Sequence, residues 1–323
     1  MKEYSAEKNR ILYYSTLFVK QVDWLWEPYI PYGKITVVQG DPGDGKTTLI
    51  LNIAALLSKG LPMPDSHAGT QCGTVLYQSA EDGAEYTIKP RLIAAGADCT
   101  NIAFIDETEH RLTLTSPRLE SAIRETNAKM LVIDPLQAYL DDSSGLNSAD
   151  GVRPSMKALA SIAERTGCAI VIIGHMNKSN GSKGIYRGLG SIDITAAARS
   201  VLLVGRLRDN AAIRVVAQLK NSLAPEGSSM AFEINSDASV RWIGEYEITA
   251  EELLTGNSDS TENSKAESAA NKLKLMLTDG DMPCSDIYGR FRIDGISKRT
   301  VDTAKKQLQI KSIKKSDGWY WSL

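Results

Sequence analysis

Gly40-Asp-Pro-Gly-Asp-Gly-Lys-Thr-Thr48 fills every specified position of the G-x-x-x-x-G-K-[ST] pattern, and its two flanks decide the fold. Lys34 to Gln39 (KITVVQ), just before it, is a short apolar, β-branched run of the kind that forms a buried strand. Thr47 to Leu57, just after it, is rich in Leu and Ala and free of Pro and Gly, which suits a helix. A strand, a glycine loop and a helix in that order make a cradle for phosphate. Gly40, Gly43 and Gly45 let the backbone wrap closely around a polyphosphate, so that N–H groups and the helix N-terminus face its charge. Asp41, Pro42, Asp44 and Thr48 complete the loop. Lys46 supplies a point charge to the outer phosphates, and the Thr47 hydroxyl is placed to ligate Mg²⁺. The stretch implies a bound nucleoside triphosphate with Mg²⁺.

The composition sets bounds on what surrounds this loop. A chain of 323 residues has room for one large domain and a small one. Its 42% hydrophobic and 24% charged residues are ordinary for a soluble globular protein. The net charge of -2 hides an asymmetry, because residues 265–323 carry 12 Lys/Arg against 7 Asp/Glu. A basic tail beside an acidic body points towards nucleic acid. Cys72, Cys99, Cys168 and Cys284 are scattered without paired ligand spacing, as in a reduced cytoplasmic protein without a zinc site. No signal-peptide pattern and no membrane-spanning run is present, so the expected setting is the cytoplasm, with no membrane partner.

Taken in order, the chain alternates. Residues 22–34 are aromatic and proline-rich, and Trp24 and Trp26 read as a cap over the sheet edge or as a sandwich for a base. Strands are expected at 73–78, 101–105, 130–134 and 168–174, with helices at about 83–95 and 117–129 and one ending at Arg165. Residues 141–153 and 179–194 are polar or glycine-rich and read as loops. Uniformly apolar strands separated by helices indicate a mainly parallel sheet covered on both faces. From Val201 the spacing shortens, with strands expected at 201–204, 212–218, 231–234 and 240–243 as an antiparallel extension. An α/β ATPase domain is therefore expected over residues 1–254, and the polar stretch to Ser264 reads as a flexible linker over 255–264.

Residues 265–323 read as three helices and a hairpin turning at Asp317-Gly318, a winged helix-turn-helix. Its third helix, starting at Ser297 as N-cap, carries Lys298, Arg299, Lys305 and Lys306, and its hairpin carries Lys311, Lys314 and Lys315. A recognition helix with a basic wing is the logic of DNA contact, although a protein-binding adaptor of the same fold is the alternative.

With these motifs in place the chain resembles the RecA-like P-loop ATPases, and most closely the RepA-type hexameric replicative helicases of plasmids, phages and integrating elements. The likeness runs over roughly Trp24 to Ile243 and rests on PYGKITVVQGDPGDGKTT, YQSAEDG followed by PRL, LVIDPL, GHMNK and QLKNSLAP in that order. It implies a role for each matching residue. Asp134, ending an apolar strand, is the acid that holds Mg²⁺ through water. Glu81, at the end of the neighbouring second strand beside the phosphate loop, is the catalytic carboxylate that activates water, with Asp82 as the competing assignment. His175 takes the position that senses the γ-phosphate. Lys220 falls where ring helicases carry a basic finger for the neighbouring subunit's nucleotide, with Arg199 as the alternative finger. A finger acting in trans requires a ring or filament, a hexamer by family resemblance. Lys183 and Arg187, in the glycine-rich loop, would track a nucleic-acid strand. The expected activity is Mg²⁺-dependent ATP hydrolysis on nucleic acid by a ring-forming DNA helicase or translocase in mobile-element replication. The alternatives are an ATP-controlled DNA-binding regulator or loader that unwinds nothing, and an ATP-driven signalling switch with a protein-binding winged helix.

Overall fold

The computed structural model describes residues 12–66, 69–140, 149–175, 192–207, 210–255, 269–278, 280–293, 296, 298–315 and 318–322. A small antiparallel ribbon, β1 (Trp24–Trp26) and β2 (Ile30–Pro31), leads into β3 (Ile35–Gly40), the strand before the phosphate loop. Then follow α1 (Lys46–Lys59), β4 (Val75–Ser79), α2 (Lys89–Ala94), β5 (Ile102–Ala103), α3 (Pro117–Thr126) and β6 (Met130–Asp134). The order continues with α4 (Ala149–Thr166), β7 (Ala169–His175), α5 (Ile192–Ala197), β8 (Ser200–Arg206), β9 (Ile213–Asn221), β10 (Met230–Ile234), β11 (Val240–Glu245) and α6 (Ala250–Thr255).

One sheet joins nine of these strands in the order β11-β10-β9-β8-β3-β7-β6-β4-β5. All pairings from β5 to β8 are parallel, and β9, β10 and β11 add on antiparallel. The mainly parallel sheet with an antiparallel extension is as expected, and the architecture is RecA-like. One boundary moves: the strand beginning near Val201 pairs parallel to β3, so the antiparallel part starts at β9.

Both faces are buried because the strands are apolar at odd and even positions alike. Val38, Val132, Val171 and Ile173 face a core with α1 residues Leu49, Ile50 and Ile53. Val37, Leu131, Ile133, Ile170 and Ile172 face a second core with Leu119, Ile123, Met156 and Leu159 from α3 and α4. Trp26 is buried in the first core, edge-on to Trp242, and its Nε1 donates to the Pro64 carbonyl at 3.1 Å. It serves packing rather than base stacking. Helix α1 stops at Gly60, whose φ of 67° lets its N–H cap the carbonyls of Leu56 and Leu57.

Three local expectations shift. Helix α4 starts at Ala149 and contains Pro154, whereas the sequence suggested a loop to Arg153. A π-helical turn, Ala84–Ile88, opens the helix that ends at Ala94. Residues 192–194, read as loop, begin α5.

Residues 269–322 carry their own core. Helix α7 (269–277) is followed by β12 (Met282–Pro283), α8 (Cys284–Ile293), α9 (Lys298–Gln307), β13 (Lys311–Lys315) and β14 (Gly318–Ser322), with the strands ordered β12-β14-β13. Leu273, Ile287, Phe291, Val301, Ala304 and Trp321 pack together at its centre. The linker residues 256–264 and the hairpin tip at Asp317 lie outside the described residues.

Candidate nucleotide-binding site

The loop after β3 is shaped by positions that no side chain could share. A Cβ on Gly40 would fall 2.1 Å from the Val204 carbonyl oxygen of β8. Gly43 and Gly45 adopt φ of +83° and +96°, the left-handed region that glycine enters without strain. Gly45 is the N-cap of α1, so the loop ends on the first free N–H groups of that helix. Lys46 is buried, and its Nζ donates to the carbonyls of Gly40 and Asp41, each at 2.9 Å. Burial pulls its pKa below the ordinary lysine value, opposed by Asp44, Asp134, Asp41 and Glu81 in turn. The charges of four carboxylates are thus felt at the lysine that would meet a polyphosphate.

Asp134 ends β6 and lies two strands from β3, with β7 between them. The Thr47 hydroxyl donates to its Oδ2 at 2.8 Å, and so does the Tyr77 hydroxyl at 2.9 Å. Burial raises the Asp134 pKa, while those two hydrogen bonds work against the rise. Tyr77 is fully buried, and burial beside Asp134 holds its own pKa well above the ordinary value. The Thr47 and Asp134 oxygens are hard donors, and no cluster of three or more His, Cys, Asp or Glu able to hold a metal occurs among the described residues. Such a sparse oxygen pair fits Mg²⁺, which keeps most of its shell as water and substrate phosphate. Sequence reasoning left Tyr77 without a role. The available signal was a hydroxyl-bearing residue two positions before Ser79, at the end of a strand already matched by motif.

Glu81 lies two residues beyond β4, and β4 is separated from β3 by β6 and β7. Glu81 therefore follows a strand on the Asp134 side of the sheet and not, as expected from the sequence, a strand beside the phosphate loop. Its charge is felt at both Asp134 and Lys46. Asp82, whose charge is also felt at Asp134 and Tyr77, is ion-paired with Arg91 at 3.2 Å, and its backbone N–H donates to the Ser79 hydroxyl.

His175 is level with Gly40 across the β3–β7 pairing, so its backbone borders the loop. Lys220 and Arg199 sit towards the other end of the sheet. Lys220 pairs with Val201, which is itself level with Val37. That places it three residues short of Gly40, roughly 10 Å along the strand. Its Nζ donates to the carbonyls of Thr195 and Ala198 at 2.8 Å each, at the end of α5. Arg199 is exposed nearby. Neither sits at the loop end of its own sheet. Two other arginines do: Arg206 and Arg214, direct partners across β8 and β9. Arg206 donates to the Gly43 carbonyl and ion-pairs Asp44 at 3.5 Å. Neither is marked by a motif, because both lie on strands recognisable in the sequence only by their apolar spacing.

The nucleic-acid candidates divide. Lys183 and Arg187 lie outside the described residues, and Lys298 and Arg299 are on the first turn of α9. Lys306 and Lys314 are exposed. Lys305 stacks over Trp321 at 4.5 Å and donates to the Ser312 hydroxyl, and Lys315 stacks over Tyr320 at 4.4 Å and ion-pairs Asp281.

A family model described as an AAA domain matches residues 17–181, just over half of the 323 residues. The chain belongs to this AAA domain family. The matched span holds the phosphate loop, Glu81, Asp134 and His175, and the AAA domain chain is a P-loop ATPase of RecA-like fold. It is similar to the DNA repair protein RadA of Bacillus subtilis (strain 168), 27% identical over 231 residues, which is 71% of this chain and 45% of that protein. The DNA repair protein RadA of Streptococcus pneumoniae (strain ATCC BAA-255 / R6) is 28% identical over 231 residues, 71% of this chain and 49% of its own length. The AAA domain chain spans about half the length of the curated relatives it matches. A crystal structure of the RadB recombinase covers 66% of this chain and 91% of its own, at a TM-score of 0.48 and 18% identity. No helix among the described residues is long and apolar enough to cross a membrane.

Proposed function

We propose that the protein hydrolyses ATP with Mg²⁺ while engaged on DNA, as a ring-forming helicase or translocase in the replication of a mobile element. The observation that carries the ATPase chemistry is the 2.8 Å hydrogen bond from the loop hydroxyl of Thr47 to Asp134. It joins the phosphate cradle to a carboxylate two strands away, as a shared Mg²⁺ site requires. Bound Mg²⁺ would neutralise charge on the β- and γ-phosphate oxygens. Lys46 would exchange its two carbonyl partners for those oxygens. Glu81 would accept the proton of the attacking water as its oxygen bonds to the γ-phosphorus and the bond to the β-phosphate breaks. The charge of Glu81 is felt at both Lys46 and Asp134, whereas Asp82 is felt at Asp134 and is ion-paired with Arg91, which supports Glu81 as the base.

Support for DNA as the partner comes from the naming of the RadA relatives as DNA repair proteins and from the exposed Lys306 and Lys314 of a tail that reads as a winged helix. The decisive experiment measures ATP hydrolysis and strand displacement by the full chain on forked DNA. Hydrolysis stimulated by DNA with displacement of the strand supports the proposal, and absence of any ATP hydrolysis sinks it. One observation favours a second reading, an ATP-controlled loader or regulator that unwinds nothing: Lys220, the expected finger, is engaged within its own chain. DNA-stimulated hydrolysis without displacement would select that reading.

A further inference from the structure

The phosphate loop contains two acids, Asp41 and Asp44, against one lysine, an unfavourable balance for a polyanion site. The geometry shows how one of them is managed. The Asp44 carboxylate turns back into the loop, where Oδ2 accepts the Asp41 N–H at 3.0 Å and Oδ1 faces Arg206 Nε at 3.5 Å. Arg206 also donates to the carbonyl of Gly43, so a single guanidinium grips the loop by backbone and by side chain. It comes from the last residue of β8, the strand that packs directly against Gly40. Arg214 stands opposite on β9, its Cδ 3.0 Å from where a Cβ of Gly45 would be. Burial and the neighbouring Arg206 both hold the Arg214 pKa below its ordinary value.

We infer that Arg206 is a positioning residue for nucleotide binding, which neutralises Asp44 and holds its carboxylate away from the incoming phosphates. The inference rests on the reading that ATP occupies this loop. The physical argument is one of charge. A carboxylate released from its cation beside a polyphosphate repels it, on the order of a tenfold loss of affinity for one unit charge near a partly screened surface. A purely structural role for Arg206 would instead loosen the loop whatever residue stood at position 44.

The test is a double-mutant cycle on nucleotide affinity, with the full chain and a fluorescent ATP analogue in the presence of Mg²⁺. Arg206→Ala should weaken binding about tenfold in the otherwise native chain. In a chain already carrying Asp44→Asn it should change binding by less than about twofold. Raising the salt concentration should shrink the first effect and leave the second alone. Arg206→Lys keeps the charge and should retain most of the affinity, which guards against a variant that merely misfolds. Equal losses in both backgrounds would overturn the inference, as would no loss in either. Failure of the native chain to bind the analogue, with Lys46→Ala no different, would instead remove the reading beneath it and the inference together.

Discussion

Asp134 gathers two hydroxyls from different elements, Thr47 from the first turn of α1 and Tyr77 from β4. Each hydrogen bond from a hydroxyl to such a carboxylate contributes about 1.5–3 kcal/mol. Tyr77→Phe should therefore lower stability in denaturant unfolding by about that amount, and an unchanged midpoint would show that the bond is not formed in solution. Glu81 makes a sharper case. Glu81→Gln should keep ATP binding and lose hydrolysis by about a hundredfold or more, as expected for a positioned base, whereas Lys46→Ala should weaken both. Normal turnover by Glu81→Gln would transfer the assignment to Asp82, despite its ion pair with Arg91. Lys46, Thr47 and Asp134, which the structure brings to one loop and its neighbouring carboxylate, could be singled out in the sequence because each sits at a fixed offset from a glycine loop or an apolar strand. Tyr77 was not readable in the same way, since an aromatic inside an apolar strand looks like core until its hydroxyl has a partner. Arg206 and Arg214 were hidden for another reason: their meaning depends on which strand lies beside β3, and no local pattern states that.

Helices α3 and α4 are joined on the surface by one carboxylate. Glu120 accepts from Arg124 on its own helix at 2.8 Å and from Arg165 on α4 at 2.6 Å. The two guanidiniums, Arg165 first, hold its pKa down at about 2 from a usual value of 4.5. The folded pKa is depressed, so this contribution to stability is complete above pH 4.5 and is lost as the pH falls towards 2. Glu120→Gln should thus lower the melting temperature at pH 7 and converge with the native chain near pH 2–3 in melts followed by circular dichroism. A constant gap across that range would count against the staple. At this scale the β/α alternation was legible throughout, and the misses have physical causes. The strand expected at 101–105 shrinks to Ile102–Ala103 because the Gln78 carboxamide takes both the N–H and the carbonyl of Ile105, each at 2.9 Å. Helix α4 begins five residues before Pro154, and a proline normally marks the first turn.

For the whole molecule, the separate core of residues 269–322 predicts that cutting within 256–264 leaves two soluble pieces. The piece spanning 265–323 should bind duplex DNA with an affinity that falls as salt rises, and salt-insensitive behaviour or no binding in a filter or anisotropy assay would favour a protein-binding adaptor. Assembly has its own test. Lys220→Ala should lower turnover more than ATP affinity if the lysine leaves α5 to act across a subunit boundary. Mixed with Glu81→Gln protein, it should restore activity above both parents, because some boundaries are then rebuilt from two native halves. No rescue after confirmed subunit exchange would leave Lys220 as a cap on α5 alone. A different lesson lies in the bond from Trp242 Nε1 on β11 to Asn52 Oδ1 on α1, at 3.0 Å. The helix that follows the phosphate loop is tied to the last strand of the sheet, 190 residues further along the chain. The stretch that matches the family ends at residue 181, yet a fragment stopped there would strip the cover from Asn52 and Trp26 and open the first core to water. An excisable folded unit therefore runs at least through residue 245, and expression trials that honour the family boundary should yield insoluble protein.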